Sequence, residues 1–303
     1  MNRCSKVLGG AVALLSMMAL VVPARGAGFF DDIGTGARPT SMGGSFVAIA
    51  DDANAIFLNP SGLTQLGGRE LTTMYARLYP GIEDDKLHQA LIGYVQPFEG
   101  VGVIGLGWQT VMADVADENT ITLSYARSIT PGFSFGVNIK GMFWKADLSG
   151  LNDPLGDSVS SGLKVGVDVG ALWLSPWRLR VGVFARNVNQ PNIAKDTSID
   201  GGKKPMELRA GLAYDLVQTL VSAELKVVDG DLSLAGGLER RLGAGFELRA
   251  GGGQSLEKDV EAGQINAGLG YRFHSFVLDY SYVYLLEIAD TQGAHRVSFG
   301  YRF

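Results

Sequence analysis

Three histidines, His88, His274 and His295, are the residues that could carry acid–base or metal chemistry in this chain. His88 follows Asp84 and Asp85 closely, and His295 follows Glu287 and Asp290. A histidine beside a carboxylate can act as a general base, the pairing an embedded protease or lipase would use. Neither pair is accompanied by a serine on a strand-to-helix elbow, and plain polar residues at a surface account for them better. A metal site drawn from His88, His295, Asp84 and Asp85 has no stronger support. Asp51-Asp52 reads as helix capping rather than calcium binding. Gly251-Gly252-Gly253 falls within a strand instead of ahead of a helix, so it is no phosphate cradle. Cys4 is the only cysteine and precedes an apolar run, which leaves no disulfide and no thiolate site. The sequence therefore reads as a non-enzyme with no metal, no cofactor and, at a formal charge of −5, no nucleic-acid partner.

The elements that carry these residues are short and alternate. His295 to Phe303 sets Val297, Phe299, Tyr301 and Phe303 on one face, with Arg296, Ser298, Gly300 and Arg302 on the other. Leu163, Val165, Val167, Val169, Ala171 and Trp173 alternate in the same way with Lys164, Gly166, Asp168 and Gly170. Strands of this kind are expected to begin near Glu70, Lys86, Val101, Asn119, Phe133, Ser160, Trp177, Lys204, Thr219, Asp231, Phe246, Gln264, Ser275 and Ala294. No helix lies between them to cover an apolar face, so the face must meet lipid, and only a closed barrel can present one to it. Short connections (Pro97 to Gly100, Thr130 to Gly132, Ser175-Pro176) alternate with longer polar ones (Tyr79 to Asp85, Asp147 to Val159, Val188 to Lys203), as periplasmic turns alternate with outer loops. The fold expected is all-β: a 14-stranded antiparallel transmembrane β-barrel over residues 69–303 in a bacterial outer membrane, with membrane lipid around it. Charges on the inner face, among them Lys140, Asp168, Arg178, Arg180, Glu207, Arg209, Glu224, Glu239, Glu247, Arg249 and Asp279, are expected to fill the lumen with salt-bridge ladders. Trp108, Trp144, Trp173 and Trp177 are expected to anchor the rims.

Residues 1–26 read as a secretory signal, with Arg3 and Lys6 ahead of an apolar core from Val7 to Val22. Residues 27–68 break the strand pattern and hold Met42-Gly43-Gly44-Ser45-Phe46-Val47-Ala48, then Ala50-Asp51-Asp52, then Asn59-Pro60-Ser61-Gly62-Leu63. Asp51 or Asp52 can cap a short helix, and Asn59 with Pro60 at the first helical position can start another. The apolar content of this segment suits a short helical or coil plug that folds back into the barrel.

These three motifs, in this order and just ahead of the strands, resemble the N-terminal signature of the FadL/TodX and PorV/PorQ outer-membrane proteins. The resemblance implies a hatch made by Met42, Gly43, Gly44, Phe46, Asp51, Asp52, Asn59, Pro60, Ser61 and Gly62. In the FadL-like case, hydrophobic small molecules (fatty-acid-like or aromatic) pass the hatch and leave sideways near a kinked third strand, for which Gly102, Gly105 and Gly107 make a kink available. In the PorV-like case the partner is a secreted cargo protein. This chain is shorter than the fatty-acid transporters, which keeps the second case open. Tyr301 and the terminal Phe303 look like the recognition signal of the barrel assembly machinery.

Overall fold

The computed structural model describes residues 34–81, 87–114, 116–147, 158–194, 202–257, 263–286 and 292–303. Residues 1–26, expected to be a secretory signal, and parts of the longer connections lie outside the described residues. Fifteen strands form one antiparallel sheet: β1 (Glu70–Arg77), β2 (His88–Phe98), β3 (Gly102–Met112), β4 (Ala116–Thr130), β5 (Phe133–Asp147), β6 (Ser158–Ser160), β7 (Lys164–Leu174), β8 (Leu179–Arg186), β9 (Glu207–Asp215), β10 (Thr219–Val228), β11 (Asp231–Gly243), β12 (Phe246–Ser255), β13 (Gly263–Phe273), β14 (Phe276–Leu285) and β15 (Ala294–Arg302). β1 pairs with β15 from Glu70↔Arg302 to Arg77↔His295, which closes the ring. β6 is three residues long and adds only to the end of β5, so the closed barrel has fourteen strands.

The strand expected from Ser160 is thus split. At the break, Ser161 donates its backbone N–H to the Trp144 carbonyl, and its hydroxyl accepts the Trp144 N–H. Ladder bonding resumes at Met142↔Lys164.

Alternation along the strands decides which face meets what. Leu123, Ile139, Leu163, Ile265 and Leu269 are each more than half exposed, whereas their neighbours Thr122, Ser124, Asn138, Lys140, Asn266 and Gly268 are buried. In water this would be an inverted protein, with polar groups inside and leucines outside. Against lipid it is the stable arrangement. Aromatic rings collect at the short-turn rim: Phe246 on Tyr271 with centroids 4.6 Å apart, Phe276 on Tyr301 at 5.0 Å and Tyr301 on Phe303 at 4.7 Å. Trp144 departs from the expected girdle. It follows the inward series Ser134 to Met142 on β5, and its indole N–H donates to the Ile193 carbonyl at 3.0 Å. Arg178 departs as well, since it occupies an exposed turn at φ 66° between β7 and β8.

The apolar core lies inside the ring. Residues 34–66 fill the lumen as α1 (Ala37–Ser41), α2 (Ala55–Leu58) and the 3-10 helix η1 (Pro60–Gln65), joined by turns. Met42, Phe46, Ile49, Ile56 and Leu63 are fully buried and cluster with inward wall residues such as Met74, Leu91 and Val95. Helices of four to six residues do not persist alone in water; the wall holds them.

Candidate functional site: the hatch and its seat

Four pairs of glycines face one another across neighbouring strands on the inner wall: Gly93↔Gly107, Gly136↔Gly170, Gly182↔Gly211 and Gly237↔Gly251. Each pair leaves the wall bare where the hatch presses on it, with the side chains of Ile56 and Phe57 at Gly93 and Gly107 and with hatch backbone at the other three. A methyl group at Gly237 would stand 2.4 Å from the Met42 carbonyl oxygen, and one at Gly251 would stand 2.3 Å from the Gly43 nitrogen. At Gly182 it would meet the Val47 carbonyl at 2.2 Å, and at Gly170 the Asn59 side chain at 2.1 Å. The pairs form an interrupted belt that receives Met42-Gly43, Val47, Ile56-Phe57 and Asn59-Pro60-Ser61 in turn. Gly43 itself needs its missing side chain, because it sits at φ 71° against the backbone of Gly252 and Gly236.

The belt also explains the third strand. β3 pairs with β2 from Phe98↔Gly102 to His88↔Met112 and with β4 from Val103 to Met112, without a shift of register on either edge. Gly105 and Gly107 make room for Ile56 and for the Phe57 ring, whose nearest atom would lie 2.6 Å from an added methyl at Gly107. Gly102 alone is unusual, at φ 139° at the start of the strand.

Polar wall groups complete the seat by satisfying hatch backbone that water cannot reach. Glu224 accepts the N–H groups of Phe46 and Val47 at 2.8 and 2.9 Å. Asn138 donates to the Ile56 carbonyl at 2.9 Å, and the Ser298 hydroxyl accepts the Ala37 N–H at 2.8 Å. Asn59 caps η1 as its position before Pro60 suggests: its side-chain oxygen accepts from Ser61, while its amide donates to the Val47 carbonyl at 2.8 Å. Removing such a partner leaves buried donors unmade at about 1–3 kcal/mol each. Glu224→Ala is therefore expected to speed hydrogen exchange at the Phe46 and Val47 amides by tenfold or more on that scale, with strand amides unchanged. Equal protection in both proteins would show that Glu224 does not hold this stretch.

A charge cluster locks the other side. Arg38 donates to Asp51 at 2.6 Å, to Asp52 at 2.7 Å and to Glu239 at 2.7 and 3.1 Å, and its guanidinium lies 5.2 Å from the Phe46 ring centre. Arg180 reaches Asp51 from β8 at 3.0 Å, and Arg249 extends the cluster from Glu239 to Asp279 at 2.7 Å each. The expected ladders are thus present, but Arg38, a hatch residue, sits at their hub. Asp52 also accepts the Asn54 N–H, turning the chain before α2, whereas Asn54 and not an aspartate stands at the helix cap. Burial disfavours the ionised Asp51 carboxyl, yet Arg38 and then Arg180 outweigh it and hold its pKa below the usual aspartate range. Burial likewise opposes the Arg38 charge, and Asp51, Glu239 and Asp52 outweigh it to keep that charge in place.

Above the hatch, toward the rim with the long connections, a cavity of about 360 Å³ opens. Ile56, Phe57 and Leu58 give it an apolar side with Met142, and Thr40, Gly43 and Gly44 contribute its floor. Its remaining wall mixes Leu234, Ala235 and Leu285 with polar groups, among them the linked set Asn138, Asp168, Lys140 and Asn187. Of the histidines, His88 and His295 each bond a tyrosine on the outer surface, and the carboxylates expected beside them lie outside the described residues. His274 occupies a short turn at φ 53°. Tyr301 and Phe303 stand at the β1–β15 seam, where the Phe303 N–H donates to the Arg69 carbonyl at 3.0 Å.

A closed, lipid-facing barrel whose lumen is stopped by its own N-terminal segment is the architecture of plugged outer-membrane channels. No protein-family model and no curated protein sequence matches the chain. Solved structures do match in fold. The monoaromatic hydrocarbon channel CymD superposes with a TM-score of 0.68 at 18% identity, covering 90% of this chain and 99% of that one. The toluene transporter TodX of Pseudomonas putida gives 0.67 at 13% identity over 90% and 99%. A FadL homologue of Pseudomonas aeruginosa gives 0.61 at 15% over 89% and 98%. These neighbours are transport channels, and the likeness is one of fold.

Proposed function

We propose that the protein admits hydrophobic small molecules through the bacterial outer membrane, with residues 42–62 acting as a gate. The observation that carries this reading is the cavity above the hatch, whose apolar side is made of hatch residues Ile56, Phe57 and Leu58. A solute that settles there touches the part of the plug that must move. The volume lies at the small end for ligand pockets, which favours a single aromatic ring over a long acyl chain. The fold neighbours described as toluene and monoaromatic hydrocarbon channels support the same class. A solute resting on Ile56, Phe57 and Leu58 displaces the segment around Asn59-Pro60 and leaves sideways into the membrane.

Locking the hatch tests this. A methyl group at Gly211 would lie 3.5 Å from the Ala48 methyl, within the reach of a disulfide. Ala48→Cys with Gly211→Cys, combined with Val47→Ala to clear the side chain 2.6 Å away, joins the plug to β9. Uptake of toluene is expected to stop in the oxidised protein and return on reduction. Undiminished uptake while the bond is intact would overturn the gate.

A further inference from the structure

On the outside of the barrel, three basic side chains stand in one row. Arg77 of β1 pairs with His88 of β2 on one side and with His295 of β15 on the other. Alternation points all three outward: Tyr75 and Arg77 are exposed while Met74 and Ala76 are buried, and Ala294 and Arg296 are buried on either side of exposed His295. Directly opposed residues on a sheet bring their side chains within about 5 Å of one another. Arg77 makes no ion pair among the described residues, and the row from Met112 through His88, Arg77 and His295 to Tyr282 contains no carboxylate.

Both rings are held in place from below. The Tyr75 hydroxyl bonds His88 Nδ1 at 2.9 Å and stacks on it with centroids 5.6 Å apart. The Tyr280 hydroxyl bonds His295 Nδ1 at 2.8 Å, and the Tyr282 ring closes to 5.2 Å. Each Nδ1 is thereby taken up by a tyrosine hydroxyl, which leaves Nε2 as the ring nitrogen open to an outer partner. The level of this row is fixed by the strands: it lies where β1, β2 and β15 run into the long connections 78–87 and 286–293, hence in the outer leaflet. Tyrosines at such a depth mark the boundary between acyl chains and headgroups, and an arginine there extends its guanidinium to the headgroup plane.

We infer that Arg77, His88 and His295 form a docking site for the phosphate of an outer-leaflet lipid headgroup. The guanidinium offers a fork that matches phosphate oxygens, two imidazole N–H groups flank it, and the tyrosines beneath lie along the acyl chains of the same lipid. Nothing in the lumen takes part, so the site is separate from the gate. It fastens one lipid over the β1–β15 seam where the ring closes.

Native mass spectrometry of the barrel released from a neutral detergent tests the assignment. The probes are diphosphorylated lipid A, the same glycolipid without phosphates, and inorganic phosphate as competitor. The wild type is expected to retain the diphosphorylated lipid about tenfold or more above the phosphate-free form, the scale of one charge-assisted contact. Arg77→Ala/His88→Ala/His295→Ala is expected to erase that preference, and Arg77→Gln alone to reduce it, with heat-modifiable gel mobility confirming a folded barrel in both. Equal retention by the wild type and a folded triple variant would overturn the site. Displacement by millimolar inorganic phosphate would overturn the lipid as its occupant.

Discussion

Gly237→Val together with Gly251→Val is expected to unseat the hatch and convert a closed barrel into an ion-conducting one. The two residues face each other on β11 and β12, and both new side chains would point at the backbone of Met42 and Gly43. Overpacking a close-fitted interior costs about 1–3 kcal/mol per site. Here the first atoms met belong to backbone, which cannot rotate away as a side chain can. The wall is held by ladder bonds to both neighbouring strands, whereas the hatch has only short helices of its own, so the hatch gives way. Stepwise conductance in planar bilayers should appear in the double variant and be absent from the wild type. Gly236→Ala provides the contrast, because a methyl group there points the other way and meets nothing nearer than 3.5 Å. A double variant that stays closed, with a protease-resistant N-terminal segment, would show that the belt is not the seat.

Arg38→Met is expected to have an effect of similar size for an electrical reason. Its guanidinium neutralises Asp51, Asp52 and Glu239, and the Glu239 side chain is wholly buried. Breaking a buried ion pair by removing one partner costs about 3–5 kcal/mol, because the surviving charge is stranded. Lysine should not rescue, since a single ammonium cannot span three carboxylates as a planar fork does. Limited proteolysis of residues 34–66 reads the outcome directly, and pH separates the cause from simple loss of packing. In the wild type, Asp51 has a depressed pKa, so its contribution is complete above the ordinary aspartate range and fades as pH falls through the depressed value. Acid should therefore loosen the wild-type hatch. Without Arg38 the same protonation removes repulsion, and acid should tighten the variant. Parallel acid responses in the two proteins would mean that the cluster does not lock the plug.

The barrel was legible because period two runs through the strands and the connections alternate in length everywhere except between Val228 and Asp231. The lipid-facing leucines and inward charges follow from that pattern alone. Residues 34–66 were legible as a plug from apolar content and from Asn59-Pro60. The seat was not, for a reason of register. Gly237 and Gly251, or Gly182 and Gly211, are separated by whole strands and connections, and only the pairing of neighbouring strands brings them opposite each other. A chain with 42 glycines gives no sign of which ones pair. Gly105 and Gly107 show the ambiguity well: they suit a bent strand as readily as a straight one that receives Phe57. Arg38 was missed because a lone arginine before Pro39 carries no motif; its partners come from β11 and from the turn before α2.

The seat has an implication for how the chain is made. Its contacts are drawn from strands far apart in the sequence: Gly107 of β3, Glu224 of β10, Gly251 of β12 and Ser298 of β15 all touch a segment that precedes every strand. That segment is synthesised before any of its partners, and its helices are too short to hold a shape while waiting. Its seat is complete only once β15 has met β1. Contacts so distant in sequence form slowly. Until they form, nothing in the wall alone closes the lumen, so each molecule is sealed from within by the last contacts it makes.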